Sequence, residues 1–563
     1  MRLHQGVLVA AVLAVGVIAP ASAGAVSSVD VRVNAPQVAG DATSDTTARF
    51  PTNKQNETTV AVDPVDATRL ISGSNDEQQQ PPCGDGPVRG DTTPGDCSFF
   101  PGVGTDGVYV SSNGGMNWSN IGLIDDNIGW QTSPFASDGD PVIVYGPKPD
   151  ASSASGFSYV HGARAYYVGL ATFKNGASTY ASAAKAPEYI VVSASDDNGL
   201  TWSAPVRATT KDNPNTFNDK NSAWVDDLPS SPYFGRLYVG FTSFRSFSAT
   251  GGNAPVMVAT SADGGASFGA PLQLSQAQNN GQQGGRQGTD IASGPDGTVY
   301  VAWEEGHQQV IRASRDGGRS FAKAVSMGPV TDIGSPIAGA NFRTDSFPNI
   351  AADPRTGSTT VWSSWTTNTA SGGRVVVARS TDRGAHWDAP TTISAAGQGS
   401  AFFDSLDVAP TGRVDVGFQG LAVLGSAATF GTGNAAISSS YASRGASGWN
   451  APVTVSTATS DPAVSSQNNL RAQFWGDYST TVSTASKAWF VWADDSRTGS
   501  GCAAVDAYQR TLTDLGLPTA EEDELAVKDK PSGGVAEPAK PAPEAVCSPA
   551  FGNTDIRLAV VTP

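Results

Sequence analysis

The chain has 563 residues, a formal net charge of −17, only 15% charged residues, 63 glycines and 36 prolines. This acidity argues against nucleic acid as a partner, because phosphate binding needs a basic face. Glycine, proline and tryptophan at this density, with no long helical periodicity, fit a turn-dense all-β protein, and one large β-architecture can absorb the whole length.

Met1-Arg-Leu-His-Gln-Gly leads into an apolar run from Val7 to Ile18 and then Ala21-Ser-Ala23. A basic start, a short apolar run and a small-x-small site predict a signal peptide over 1–23, cut after Ala23 or, alternatively, Ala25. The run is too short for a permanent anchor. The mature chain is expected to be secreted, monomeric and not membrane-spanning. Residues 24–52 form an N-terminal segment in which Val29-Asp-Val-Arg-Val33 reads as a strand.

Residues 53–514 repeat one unit. Its clearest part is a turn, Ser-x-Asp-x-Gly-x-x-Trp/Phe, seen at Ser111–Trp118, Ser195–Trp202, Ser261–Phe268, Ser314–Phe321 and Ser380–Trp387. The acidic or amide residue (Asn113, Asp197, Asp263, Asp316, Asp382) folds back onto backbone N–H groups, the glycine takes a left-handed conformation, and the aromatic packs the turn onto a sheet. Strand-like runs flank each turn, as in Tyr189–Ser193 and Gly373–Ala378 before it and Ala270–Leu274 after it. Two further runs precede these: one often ends at Asp-Pro or Pro-Asp-Gly, as in Thr59–Pro64 and Ile350–Pro354, and the next is alternating or aromatic, as in Thr298–Trp303 and Thr360–Trp365. Four antiparallel strands per unit make a propeller blade. First strands near Val60, Val142, Ala223, Ile291, Ile350, Leu406 and Ser479 predict seven blades, with six plus extra strands as the alternative. The sixth turn, Ser440–Trp449, is degenerate. The seventh blade needs Asp555–Val561 as its third strand and Val29–Val33 as its fourth, which would close the ring and remove free edges.

Residues 515–546 are a Pro/Ala-rich acidic insert, expected to protrude as a poorly ordered loop, and 547–563 return to the last blade. Cys83 and Cys97 bracket one loop; Cys502 and Cys547 bracket the insert. Pairing within each bracket is the simplest of three connectivities, and neither spacing is zinc-like.

The five turns resemble the Asp boxes, or BNR repeats, of sialidase-like propellers. In that family the boxes are structural and face away from the active site. The resemblance implies a secreted exo-glycosidase acting on extracellular glycans or a cell-surface polymer. It implies three arginines clamping the substrate carboxylate, a tyrosine nucleophile assisted by a glutamate, and an aspartate acid/base; the tyrosine is an exception to the two-carboxylate rule of glycosidases. On the face where chains enter first strands and leave second strands, Arg286, Arg343 and Arg471 are the matching clamp. Tyr478 is the matching nucleophile, Glu304 or Glu305 its base, and Asp138 or Asp140 the acid. Glu57, Asp219, Asp290, Asp345 and Asp404 lie near the same face. The competing class is a non-catalytic propeller that binds glycan, cell-wall polymer or protein. Neither class needs a cofactor. The four histidines form no readable triad or metal cluster, and no metal is expected.

Overall fold

The structure is a computed structural model and describes residues 26–35, 55–77, 104–174, 188–210, 216–245, 254–277, 286–466, 470–497, 499–517, 536–548 and 550–563. Seven antiparallel sheets form a ring of seven blades. Blade one runs Gln55–Val62, Leu70–Asp76, Asp106–Ser111 and Ser119–Leu123 from the axis outward. Blades three, four and five repeat that order; blades two and six each carry a fifth strand.

Blade seven closes the circle. Its inner strands are Thr480–Ser483 and Ala488–Asp494, its third is Asp555–Thr562, and its outer strand is Ser27–Arg32. The two ends of the described chain therefore pair in register, Val29 opposite Val560 and Val31 opposite Leu558. Seven blades closed by the N-terminal strand is the predicted arrangement, and the six-blade alternative falls away.

The core lies between blades, so most strands are buried on both faces. Between blades seven and one, Trp489, Val491 and Leu558 pack on Val60, Leu70 and Tyr109. Each Ser-x-Asp turn lies between the third and fourth strand of its blade and keys into the blade before it. Gly115, with φ +84°, sits where a Cβ would lie 3.1 Å from Trp489 Nε1 of the seventh blade; glycine is required there by both backbone and space. The turns of blades three and four rest their glycines on Tyr166 and Tyr238 in the same way.

At the opposite end the innermost strands share a second device. Pairing with the second strand slips between Asn56 and Thr59, Asp219 and Ser222, Gln287 and Asp290, and Phe402 and Ser405. Such bulges re-aim side chains. The residue in each slip is left-handed: Glu57 (φ 52°), Lys220 (52°), Gly288 (69°) and Phe403 (45°). Asp140 (55°) and Gly476 (88°) are left-handed at the matching points of blades two and seven.

A helix, Ala503–Asp514, interrupts the all-β order, with Val505, Tyr508 and Leu512 buried beneath it. The Cys502–Cys547 disulfide, with Cα atoms 5.2 Å apart, ties its start to the segment leading into the last strand. No helix among the described residues is long and apolar enough to cross a membrane.

Candidate active site

Glu57 and Lys220 lie in the first strands of blades one and three, and Asp140 in the loop just ahead of the first strand of blade two, Val142–Pro149. A bulky residue is costly in left-handed backbone, and such strain persists only where the surroundings impose it. Here it turns three charged side chains toward one point. Lys220 Nζ lies 4.0 Å from Glu57 Oε1 and 3.9 Å from Asp140 Oδ2, and it donates to Asp477 Oδ2 from blade seven. Arg343, from the loop into blade five, completes the cluster. Its Nε and Nη2 donate to Asp477 Oδ1 and Oδ2 at 2.7 and 2.6 Å, and Nη2 is 3.9 Å from Glu57 Oε1.

Blade one buttresses the acids. Asn75 Nδ2 donates to Glu57 Oε2 at 2.7 Å and to Asn56 Oδ1 at 2.9 Å, while its Oδ1 accepts from the Asp140 N–H at 3.1 Å. Asn221 Nδ2 holds the Asp140 carbonyl at 3.0 Å. Tyr478 lies over the cluster, with Lys220 Nζ 5.5 Å from its ring centroid. The Tyr478 ring, Asp219 and Arg343 are half-buried and form the solvent side.

These surroundings push the acids apart. Burial, then the Glu57 charge, raises Asp140 to about 8, with Lys220 opposing. Burial raises Asp219 to about 7, helped by Asp140, and burial also raises Glu57. Asp477 goes the other way: Arg343 and Lys220 outweigh its burial and hold it well below the carboxylate range. Tyr478 is held far above the usual phenol value by burial and by Asp140 and Glu57. At neutral pH the cluster thus holds at least one protonated carboxyl next to an ionised one, which is the pattern of an acid–base pair.

Of the residues predicted from sequence, Asp140, Tyr478 and Arg343 meet here, together with Glu57 and Asp219. Asp138 is near by, since its charge acts on the buried Asp106, and its N–H is bonded to the Leu170 carbonyl. Glu304 is at the blade-four rim, where burial, Asp332 and Asp345 raise it to about 9. Glu305 accepts from Trp303 Nε1 at 2.9 Å. Arg471 is held by Glu537 at 2.6 Å, so its guanidinium and that of Arg343 rest on different carboxylates. Arg286 stands opposite Glu305 in the sheet; its side chain, Cys83, Cys97 and residues 1–23 lie outside the described residues. Among the described residues no group of three or more His, Cys, Asp or Glu could hold a metal ion.

Sequence reasoning missed Lys220, Asp477 and Asn75. The available signals were a lysine in a lysine-poor chain, standing between Asp219 and Asn221 just ahead of a strand, and an aspartate after a glycine at the same point of blade seven.

The five turns far from this cluster are nearly identical in detail. In the second, Ser195 Oγ donates to Asp197 Oδ1 at 2.9 Å and accepts from Gly199 N–H at 2.9 Å. Asp197 Oδ1 accepts from Thr201 N–H at 2.9 Å, and Trp202 Nε1 donates to the Gly199 carbonyl at 3.1 Å. The sixth position is a plain hairpin with Arg444 opposite Trp449.

No protein-family model matches the chain, and no curated protein is similar to it in sequence. Among solved structures it resembles a protein of unknown function from Dyadobacter fermentans, at 10% identity and TM-score 0.38 over 95% of this chain and 99% of that one. It also resembles the intramolecular trans-sialidase of Ruminococcus gnavus, at 14% identity and TM-score 0.37 over 68% and 91%. A third is an ulvan lyase, at 13% identity and TM-score 0.32 over 58% and 77%.

Proposed function

We propose that the chain is a secreted, sialidase-like exo-glycosidase that cleaves extracellular glycans at the axial mouth of the ring. The observation that carries this reading is the convergence of Glu57, Asp140 and Lys220 in left-handed backbone from three blades, because strain concentrated on charged residues at one point marks a working site. Asp140 donates its proton to the glycosidic oxygen as the bond breaks. Glu57, set 4.0 Å from Lys220 and 3.9 Å from Arg343, takes a proton from the attacking water as the water oxygen bonds to the anomeric carbon. Asp477 positions both cations and takes no part in proton transfer.

The resemblance assigns Tyr478 the nucleophile's part. A phenolate among so many carboxyls is costly, so this reading gives its neutral hydroxyl the role of a donor to the sugar. The disulfide supports an oxidising, extracellular setting.

Hydrolysis of a panel of 4-methylumbelliferyl glycosides by the purified mature protein tests the reading. Turnover abolished by Asp140→Asn and lowered only several-fold by Tyr478→Phe is expected. Complete loss in Tyr478→Phe would return the tyrosine to the nucleophile's role. Wild-type inactivity with retained sugar binding would leave the non-catalytic class.

A further inference from the structure

We infer that the axial site takes an uncharged, hydroxyl-rich sugar rather than a carboxylate-bearing one. This rests on the reading above for the location of the site, and it departs from the carboxylate-bearing substrate that the family resemblance implies.

Both cations of the cluster are already engaged. Arg343 grips Asp477 with two nitrogens, and Lys220 donates to the same carboxylate. Asp477 occupies the guanidinium fork as a substrate carboxylate would. To bind there, an anionic sugar would have to displace Asp477 and leave it buried without its partners, a strongly unfavourable exchange. It would also crowd against Glu57, which lies 3.9 Å from the same guanidinium.

A second observation shows what the site lacks. Three polar atoms around the cluster have no hydrogen-bond partner among the described residues: Asn56 Nδ2, Asn221 Oδ1 and Tyr478 Oη. Asn56 and Asn221 are 2% and 8% exposed. They offer an amide donor, an amide acceptor and a phenol hydroxyl. Sugar hydroxyls both donate and accept, and match this mixture. Buried polar groups left unpaired penalise any ligand that fails to pair them, so the set selects for hydroxyls. The partly buried Tyr478 adds aromatic surface beside the cluster.

The test is calorimetric titration of the mature protein with methyl glycosides of glucose, galactose and N-acetylglucosamine, against those of N-acetylneuraminic and glucuronic acids. The 4-methylumbelliferyl glycosides of the same sugars run in parallel for turnover. At least one neutral sugar is expected to bind about 30-fold more tightly than either acid. Tyr478→Phe, which removes a hydroxyl with no internal partner, is expected to weaken neutral binding about tenfold. Asp477→Asn frees Arg343 and is expected to narrow the gap. Should that variant not fold, the wild-type panel and Tyr478→Phe still decide. Preference for a carboxylated sugar, or failure of every neutral sugar to bind, overturns the inference. Neutral binding without turnover upholds the sugar class and sinks the hydrolase reading. Turnover confined to the sialoside does the reverse.

Discussion

The two ends of the propeller are built on opposite principles. At the end holding the Ser-x-Asp turns, one arrangement recurs in five blades: serine accepts from the glycine N–H at 2.9–3.0 Å, and the acidic or amide oxygen accepts from a backbone N–H at 2.9–3.0 Å. At the other end one backbone feature recurs in six blades, but its occupants are Glu57, Asp140, Lys220, Gly288, Phe403 and Gly476. Repetition with every bond made is what a shared structural task produces. One strained geometry filled differently in each blade, with polar atoms left over, is what a single asymmetric site produces. The molecule therefore separates the ring of repeated turns from the mouth where the proposed site lies.

This contrast can be broken or sharpened by substitution. The largest effect is expected from Lys220→Met, which strips the buried acids of their shared cation; denaturant unfolding should register a loss of about 3–5 kcal/mol, and a loss below about 1 kcal/mol would mean the cluster is far wetter than its burial implies. Asp140→Asn should leave the fold intact while kcat falls about 10²–10⁴-fold. The same residue sets a pH dependence. Its folded value of about 8 is above the ordinary 3.8, so the folded state holds the extra proton. Its contribution to stability is complete below 3.8 and is lost as pH rises through about 8. Denaturation series between pH 5 and 9 should show stability falling with pH, less steeply in Asp140→Asn, and wild-type turnover should fade above about 8 as the proton donor ionises. The smallest effect is expected at the other end. Asp197→Ala loses its bonds to Ser195 and Thr201 and should cost about 1 kcal/mol by thermal or denaturant unfolding, with kcat unchanged.

The ring was legible in the sequence because its signals repeat. Five turns in register fix the blade, and Val29–Val33 and Asp555–Val561 are recognisable as the strands that complete it. The helix Ala503–Asp514 was missed: only Val505, Tyr508 and Leu512 carry its apolar face, in a short stretch next to a low-complexity insert. The site was legible only in part. Asp140, Tyr478 and Arg343 could be placed by blade position on the face where they converge. Their partnership with Lys220 and Asp477 joins residues up to 257 positions apart, and no local pattern encodes that. Arg343 and Arg471 read alike in the sequence, each just ahead of a first strand. Only the folded chain gives one to Asp477 and the other to Glu537.

The proposed function puts chemistry at the axial mouth and not at the turn ring. Hydrolysis of a neutral 4-methylumbelliferyl glycoside by Asp140→Asn and Asp197→Ala, each corrected for its folded fraction, tests this most directly. Turnover is expected to stay within about twofold of wild type in Asp197→Ala and to fall about 10²-fold or more in Asp140→Asn. Equal turnover in the two variants, or loss in Asp197→Ala alone, would contradict it.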